Sequence, residues 1–298
     1  MKFASFSYEG NSDYGVLNDT ETKLIPMKVL LNRLNKEVPK DLISFIRIYS
    51  NDVVDEIGDI MSELDDRGIS IKSLKLEAPI PYPRRNLFCL GKNYIEHAEE
   101  IKNVLKDNTD IPSYPIYFSK IADPAVGHLD EIVVPNNLIA TLDYEVELAI
   151  IIGKDGKDIP PGEVNNYIFG YTIANDITLR NFQTKHAQWF KSKSFDTFAP
   201  MGPYIVDKSI LDYPPKLDIS CKVNDEMRQN FNTDKLIFDI PYIISDLSKG
   251  LTLRAGDIIL TGTPAGVGLG FNPPKYLVSG DIVECAIEKI GVLVNYIK

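Results

Sequence analysis

One segment constrains this chain more than any other: LDYEVELAIIIG, residues 142–153, where Asp143, Glu145 and Glu147 alternate with Leu142, Tyr144, Val146 and Leu148. Side chains alternate across a strand, so the spacing predicts acids on one face and apolar residues on the other. Like charges that close repel, and each raises its neighbour's pKa. Water relieves that repulsion on a solvated outer face, which is how half-exposed strands ordinarily read. A hard divalent cation relieves it too. Read alone, the segment favours the solvated face; the rest of the chain reverses that preference.

At 298 residues the chain exceeds one ordinary domain and has room for a large domain plus a small one. A 44% hydrophobic and 25% charged composition supplies ample core, and 15 Tyr with 13 Phe suit a β-rich one. Acids outnumber bases 42 to 32, for a net charge of -10, which argues against a nucleic-acid partner because phosphate binding needs a basic face. Cys89, Cys221 and Cys285 are far apart, with no Cys-x-x-Cys spacing for zinc. Cys89 and Cys285 sit in apolar runs, so buried, reduced thiols and a reducing compartment are expected. No apolar run is long enough to span a bilayer, and MKFASFSYEG lacks the apolar core of a signal peptide. These features predict a cytoplasmic protein with no membrane partner.

Residues 1–78 read as a small N-terminal module. KFASFSY and YGVLN are strand-like, and helical periodicity runs from about Met27 to Leu64. The proline-rich APIPYPRR (78–85) favours an extended linker, so the boundary falls there and 79–298 form the second domain. That remainder is short strands with Gly and Pro punctuation, with helical stretches near 93–106, 178–189 and 241–249. The pattern is a β-dominated α+β fold with helices over loops, and it does not alternate strand and helix.

Asp176 ends the apolar strand IFGYTIAND. By itself it reads as a helix cap; opposite Glu145 and Glu147 it becomes a third hard oxygen ligand, suited to Mg²⁺ or Mn²⁺ rather than zinc. His97 and Glu100 in GKNYIEHAEE are three apart and share a helix face. Alone they are a surface ion pair of little value; as a catalytic pair, Glu100 orients the imidazole and His97 deprotonates water. Lys193 lies in the polar stretch KSKSFDTFAPMGP, where a lysine is ordinarily solvated, but in a metal site it could stabilise an enolate. Arg180 and Gln183, one helical turn apart, could hold an anionic substrate or brace the ligands. His128 and His186 read as structural. LTGTPAGVGLG, closing the strand GDIIL, is neither a Walker motif nor GxGxxG. It reads as a tight turn whose backbone N–H groups and Thr hydroxyl could meet a carboxylate.

Five segments in order, GKNYIEHAEE, LDYEVELAIIIG, GYTIANDITLRNFQ, KSFDTFAPMGP and AGDIILTGTPAGVG, resemble the fumarylacetoacetate hydrolase family from about Asn86 to the C-terminus. Within it, the chain is most similar to bacterial acylpyruvate hydrolases and oxaloacetate decarboxylases. The resemblance implies a mixed β-sandwich roll around the site, with the small N-terminal α/β module packed outside, and commonly a homodimer. It implies Mg²⁺ or Mn²⁺ on Glu145, Glu147 and Asp176, and a substrate-side Lys193. It further implies His97 and Glu100 on a mobile lid helix, with Arg180, Gln183 and Thr263 near the substrate. Asp143 is outside the usual ligand set and is left as an outer or exposed acid.

These residues predict metal-dependent C–C cleavage of a small 2-oxo acid through a metal-stabilised pyruvate enolate. Loss of CO₂ from oxaloacetate needs no water, whereas an acylpyruvate needs water activated by His97 with Glu100. Reprotonation of the same enolate elsewhere gives the alternative, an isomerase or tautomerase of 2-hydroxyhepta-2,4-diene-1,7-dioate type substrates. A non-catalytic metal-binding protein is the alternative of another class.

Overall fold

A computed structural model describes the chain except for residues 50, 106–110, 135–137 and 187. Its largest sheet follows the spatial order Ile69–Ser70, Lys23–Pro26, Asn11–Leu17, Lys2–Tyr8, Met201–Asp207, Ile168–Asn175, Val146–Ile152, Ile258–Leu260, Leu87–Gly91 and Ile116–Lys120, with Lys75–Leu76 also on the Lys2–Tyr8 strand. Neighbours are antiparallel except Ile258–Leu260 beside Leu87–Gly91, so the sheet is mixed. A second sheet runs Glu226–Asn232, Asp218–Val223, Ile282–Ile287, Gly291–Ile297 and Glu131–Ile132. The expected β-dominated architecture is observed, a mixed-sheet fold with few helices.

The two sheets share a core. Val146, Leu148, Ile150 and Ile152 pack in one apolar cluster with Ile219, Cys221, Val283, Cys285 and Leu293 of the second sheet. The intervening Ala149 and Ile151 belong to a different cluster, with Phe3, Leu30, Phe45 and Ile57. Both faces of the strand Val146–Ile152 are therefore covered, and every residue in it is buried. Period-two alternation puts Glu147 on the face of Ala149 and Ile151. The acids thus occupy the start of a face that becomes apolar core two residues later.

Residues 1–78, proposed above as a unit, join the large sheet directly. Lys2 is opposite Val206 and Phe3 opposite Ile205. Its helices Met27–Arg33, Leu42–Ile48 and Asn51–Ile60 cover that sheet, with Phe3 against Phe169 at 5.0 Å between ring centroids. Asp41 caps the second of these helices through its carboxylate, which accepts from Ser44 N at 2.8 Å. The expected linker carries no regular structure over Ala78–Ile80, but those residues are buried and Ser5 Oγ donates to Pro79 O at 2.7 Å.

The helical stretches expected near 93–106 and 241–249 are Ile95–Leu105 and Ile240–Leu247; position 106 lies outside the described residues. The stretch expected at 178–189 is instead the strand Thr178–Leu179 and the helix Arg180–Lys185, and a separate short helix, Phe190–Lys193, begins just beyond it; position 187 lies outside the described residues. No described helix is long and apolar enough to cross a membrane.

Candidate metal centre and its cavity

The acidic strand is broken where the sequence reads as continuous. Leu142–Asp143 pairs with Thr178–Leu179, while Val146–Ile152 joins the large sheet. Between them, Glu145 N donates to Asn175 Oδ1 at 2.9 Å and Asp176 N to Glu145 O at 2.8 Å. Asp143 is thereby parted from the other two acids. One carboxylate oxygen each of Glu145, Glu147 and Asp176 converges within 4.8 Å of the others, all three residues being buried. Asp176 caps no helix: the N-cap position before Arg180–Lys185 is Leu179.

Asp143 is fully buried, and the reading that left open an exposed acid is corrected. Its carboxylate accepts from Arg180 Nε at 2.7 Å, Gly268 N at 2.6 Å and Leu269 N at 3.0 Å. Arg180 Nη1 donates to Gln183 Oε1 at 3.1 Å. Its Nη2 sits 2.7 Å from Glu145 Oε1, close enough for an ion pair but poorly aligned for a hydrogen bond. Arg180 thus ties the displaced acid to the converging set.

Lys193 is not in a solvated loop. It ends the short helix Phe190–Lys193 and is 2% exposed, so its ammonium must find partners inside. Lys193 Nζ donates to Glu145 Oε2 at 2.8 Å, Asp176 Oδ2 at 2.6 Å and Thr178 Oγ1 at 2.8 Å. Burial disfavours its charge, but Asp176 and Glu145 overcome that and raise its pKa. Burial likewise pushes Glu145 up, yet Lys193, Arg180 and His97 hold it at about 2.

Lys120 was not foreseen. It ends the strand Ile116–Lys120, is fully buried, and donates from Nζ to Asp176 Oδ1 at 2.6 Å and Ile177 O at 3.1 Å. Burial, aided by Lys193, lowers its pKa against the pull of Asp176. Its only sequence signal is a cation closing the apolar-aromatic run PIYF. Gln229, fully buried, was missed as well: it accepts from Val146 N at 3.2 Å and donates to Thr263 Oγ1 at 2.8 Å. Thr263 Oγ1 in turn donates to Val146 O at 2.9 Å, so its hydroxyl is committed to the strand carrying Glu147.

The glycine-rich segment does meet carboxylates, and they are the chain's own. Gly262 N donates to Glu147 Oε2 at 2.7 Å, Gly266 N to Glu100 Oε1 at 3.0 Å, and Gly268 N to Asp143. Gly270 is required by close approach, since a Cβ there would stand 1.9 Å from Glu100 Oε1. On the helix Ile95–Leu105, His97 Nδ1 lies 3.3 Å from Glu100 Oε2, and His97 is buried. His128 and His186 stay outside the site: His128 Nδ1 accepts from Val294 N at 3.1 Å, and His186 stacks on Phe182. The three cysteines are buried free thiols.

A cavity of about 160 Å³ is bounded by Lys92, His97, Glu145, Glu147, Arg180, Gln183, Lys193 and Thr263, with an apolar side formed by Leu90, Ile101, Phe118 and Trp189; Asp176 lies outside its lining. Glu100 lies behind His97 and does not line it. The donor set fits a hard divalent cation, being three convergent carboxylates with no sulfur or imidazole among them. Charge points the same way. The buried cations Lys120, Arg180 and Lys193 face the four buried acids Asp143, Glu145, Glu147 and Asp176. The excess falls on Glu147, which burial, Asp176 and Glu145 push well above the ordinary carboxylate range.

A mixed-sheet fold with a buried triad of acids beside a lysine defines a class of enzymes, and residues 86–298 match the fumarylacetoacetate hydrolase C-terminal family. The chain belongs to that family. It is 46% identical over 243 residues to oxaloacetate tautomerase YisK of Bacillus subtilis, covering 82% of this chain and 77% of that one. A fumarylacetoacetate hydrolase from the psychrophile Exiguobacterium antarcticum superimposes with a TM-score of 0.84 at 35% identity, over 100% of this chain and 99% of that one. Maleylpyruvate hydrolase from Sphingobium sp. SYK-6, solved with manganese(II) and pyruvate, superimposes with a TM-score of 0.77 at 29% identity, over 100% and 98% of the two chains.

Proposed function

We propose that this enzyme uses Mg²⁺ or Mn²⁺ to interconvert the keto and enol forms of a small 2-oxo acid of the oxaloacetate class. The observation that carries the reading is the convergence of Glu145, Glu147 and Asp176 beside Lys193, with both glutamates and the lysine lining a part-open cavity. The 46% identity to an oxaloacetate tautomerase supports the substrate and the outcome. A divalent ion held by the three acids would supply Lewis-acid polarisation of the keto oxygen.

The chain's own residues do the rest. Glu100 is held by Gly266 N and takes the Nδ1 side of His97, which leaves Nε2 to accept a proton. His97 removes the C3 proton of the 2-oxo acid, and the electron pair moves onto the keto oxygen. Lys193, which the buried acids keep protonated, favours negative charge on that oxygen. Protonation of the oxygen completes the enol, and the reverse sequence regenerates the ketone. No water is consumed and no C–C bond breaks.

The maleylpyruvate hydrolase complex with manganese and pyruvate supports a second reading, C–C hydrolysis with His97 activating water. Decay of enol-oxaloacetate followed by ultraviolet absorbance, with pyruvate and CO₂ assayed in parallel, separates the two. Faster ketonisation without stoichiometric pyruvate is expected with Mn²⁺; stoichiometric pyruvate from oxaloacetate or an acylpyruvate would favour cleavage. His97→Ala should slow ketonisation by about a hundredfold, the usual lower value of general acid–base catalysis. An unchanged rate would remove His97 from the proton path.

A further inference from the structure

We propose that Trp189, seated on the bare backbone of Gly91, sets the size of the group that the substrate carries beyond its 2-oxo acid head; this rests on the function proposed above. The cavity has two unlike sides. Acids and cations fill one: Arg180 and Lys193 are already held by buried carboxylates, and Lys92 lines the cavity as well. The other side is apolar, and Trp189 is its largest member.

Three observations fix that ring in place. Trp189 is four residues before Lys193, and both line the cavity, as residues one helical turn apart do. Its ring meets Phe118 edge-on at 5.3 Å between centroids, and Phe118 lies 5.3 Å from Lys193 Nζ. Finally, a Cβ on residue 91 would stand 2.1 Å from the Trp189 ring, so glycine there makes the slot the indole occupies. The wall is thus bolted to the same short helix that delivers the ammonium to the acids. A 2-oxo acid head bound at the polar side turns its C3 substituent toward the rest of the cavity, where Lys92 and Gln183 offer polar groups and Phe118 and Trp189 form the apolar wall. A carboxylate or acetyl group is accommodated beside the indole, and a long or aromatic acyl group meets it.

The test compares kcat/KM for oxaloacetate and for benzoylpyruvate with Mn²⁺, before and after Trp189→Ala. The ratio should shift toward benzoylpyruvate by about tenfold or more, in the range that pocket size commands. Gly91→Ala, which evicts the ring without removing it, should shift the ratio in the same direction or abolish turnover of both substrates. An unshifted ratio in Trp189→Ala overturns the proposal.

Trp189 is the chain's single tryptophan, which gives a readout independent of turnover. Its fluorescence should change on titration of the Mn²⁺-loaded protein with oxaloacetate, and circular dichroism of both variants reports folding. A fluorescence response without turnover of any 2-oxo acid would sink the proposed reaction and leave the wall standing. Turnover without a fluorescence response would sink the wall and leave the reaction. Silence in both removes both.

Discussion

Two stretches of this chain look alike on paper and end in opposite surroundings. LDYEVEL and LDISCKV each alternate polar and apolar residues. In Asp218–Val223 the alternation means what it usually means: Ile219, Cys221 and Val223 are buried, Asp218 is exposed, and Ser220 and Lys222 are partly so. Across the ladder, Glu284 stands opposite Lys222 in a strand with the same pattern. In residues 142–148 every position is buried. The acids there are met by Arg180 and Lys193 from two other elements, and by backbone amides. Alternation therefore reports two chemically distinct faces, and only the groups arriving from elsewhere decide whether the polar one meets water.

The largest expected contrast is functional. Glu147→Gln should weaken Mn²⁺ binding by at least about a hundredfold, the upper end of what losing a ligand's outer partner costs, and remove turnover with it. Glu284→Gln should leave both unchanged. Isothermal titration and the ketonisation assay read this out, and full activity in Glu147→Gln would take that acid out of the metal centre.

Next comes stability. Lys193→Met strips two buried carboxylates of a cation and should cost the metal-free protein about 3–5 kcal/mol, with part recovered in Mn²⁺. Lys222→Met on the second sheet should cost less than about 1 kcal/mol. Urea melts of the two variants compare them. Equal losses would mean that burial makes no difference to what these lysines do.

The smallest effect is in pH. Glu147 has a raised folded pKa, so its stabilisation is complete below its ordinary 4.5 and is lost as pH rises through the raised value. Glu145 works in the opposite sense, contributing above 4.5 and losing that contribution as pH falls toward about 2. Metal-free Glu147→Gln should accordingly melt higher than the parent at pH 8, and the gap should close on acidification toward pH 5. Metal binding to the parent at pH 7 should release a proton, measurable from the buffer dependence of the binding heat. A gap that widens toward acid would reverse the assignment of Glu147 as the acid bearing excess charge.

Much of the centre was legible because its signal is local. Glu145 and Glu147 stand out by spacing, and His97 with Glu100 by helical offset. The fold class followed from short strands and punctuation. What escaped is long-range. Lys120 meets Asp176 from 56 residues away, and nothing beside it in the chain announces the partner. The parting of Asp143 from Glu145 depends on pairing with Thr178–Leu179, which period-two reasoning treats as one unbroken strand. Trp189 stands at the end of the stretch 178–189 that reads as helical, and its neighbours in space, Gly91 and Phe118, belong to two other strands. Gln229 comes from the far sheet, where only its position in the fold gives it a role.

The glycine-rich segment 262–269 hands one amide to Glu147, one to Glu100 and two to Asp143. Every residue type except proline brings the same main-chain donor, so a non-proline replacement leaves these N–H groups in place and breaks the links only by moving the chain. Three acids with separate duties are thus strung on one thread. Redesign of this loop would shift the anchors of Glu147, Glu100 and Asp143 together.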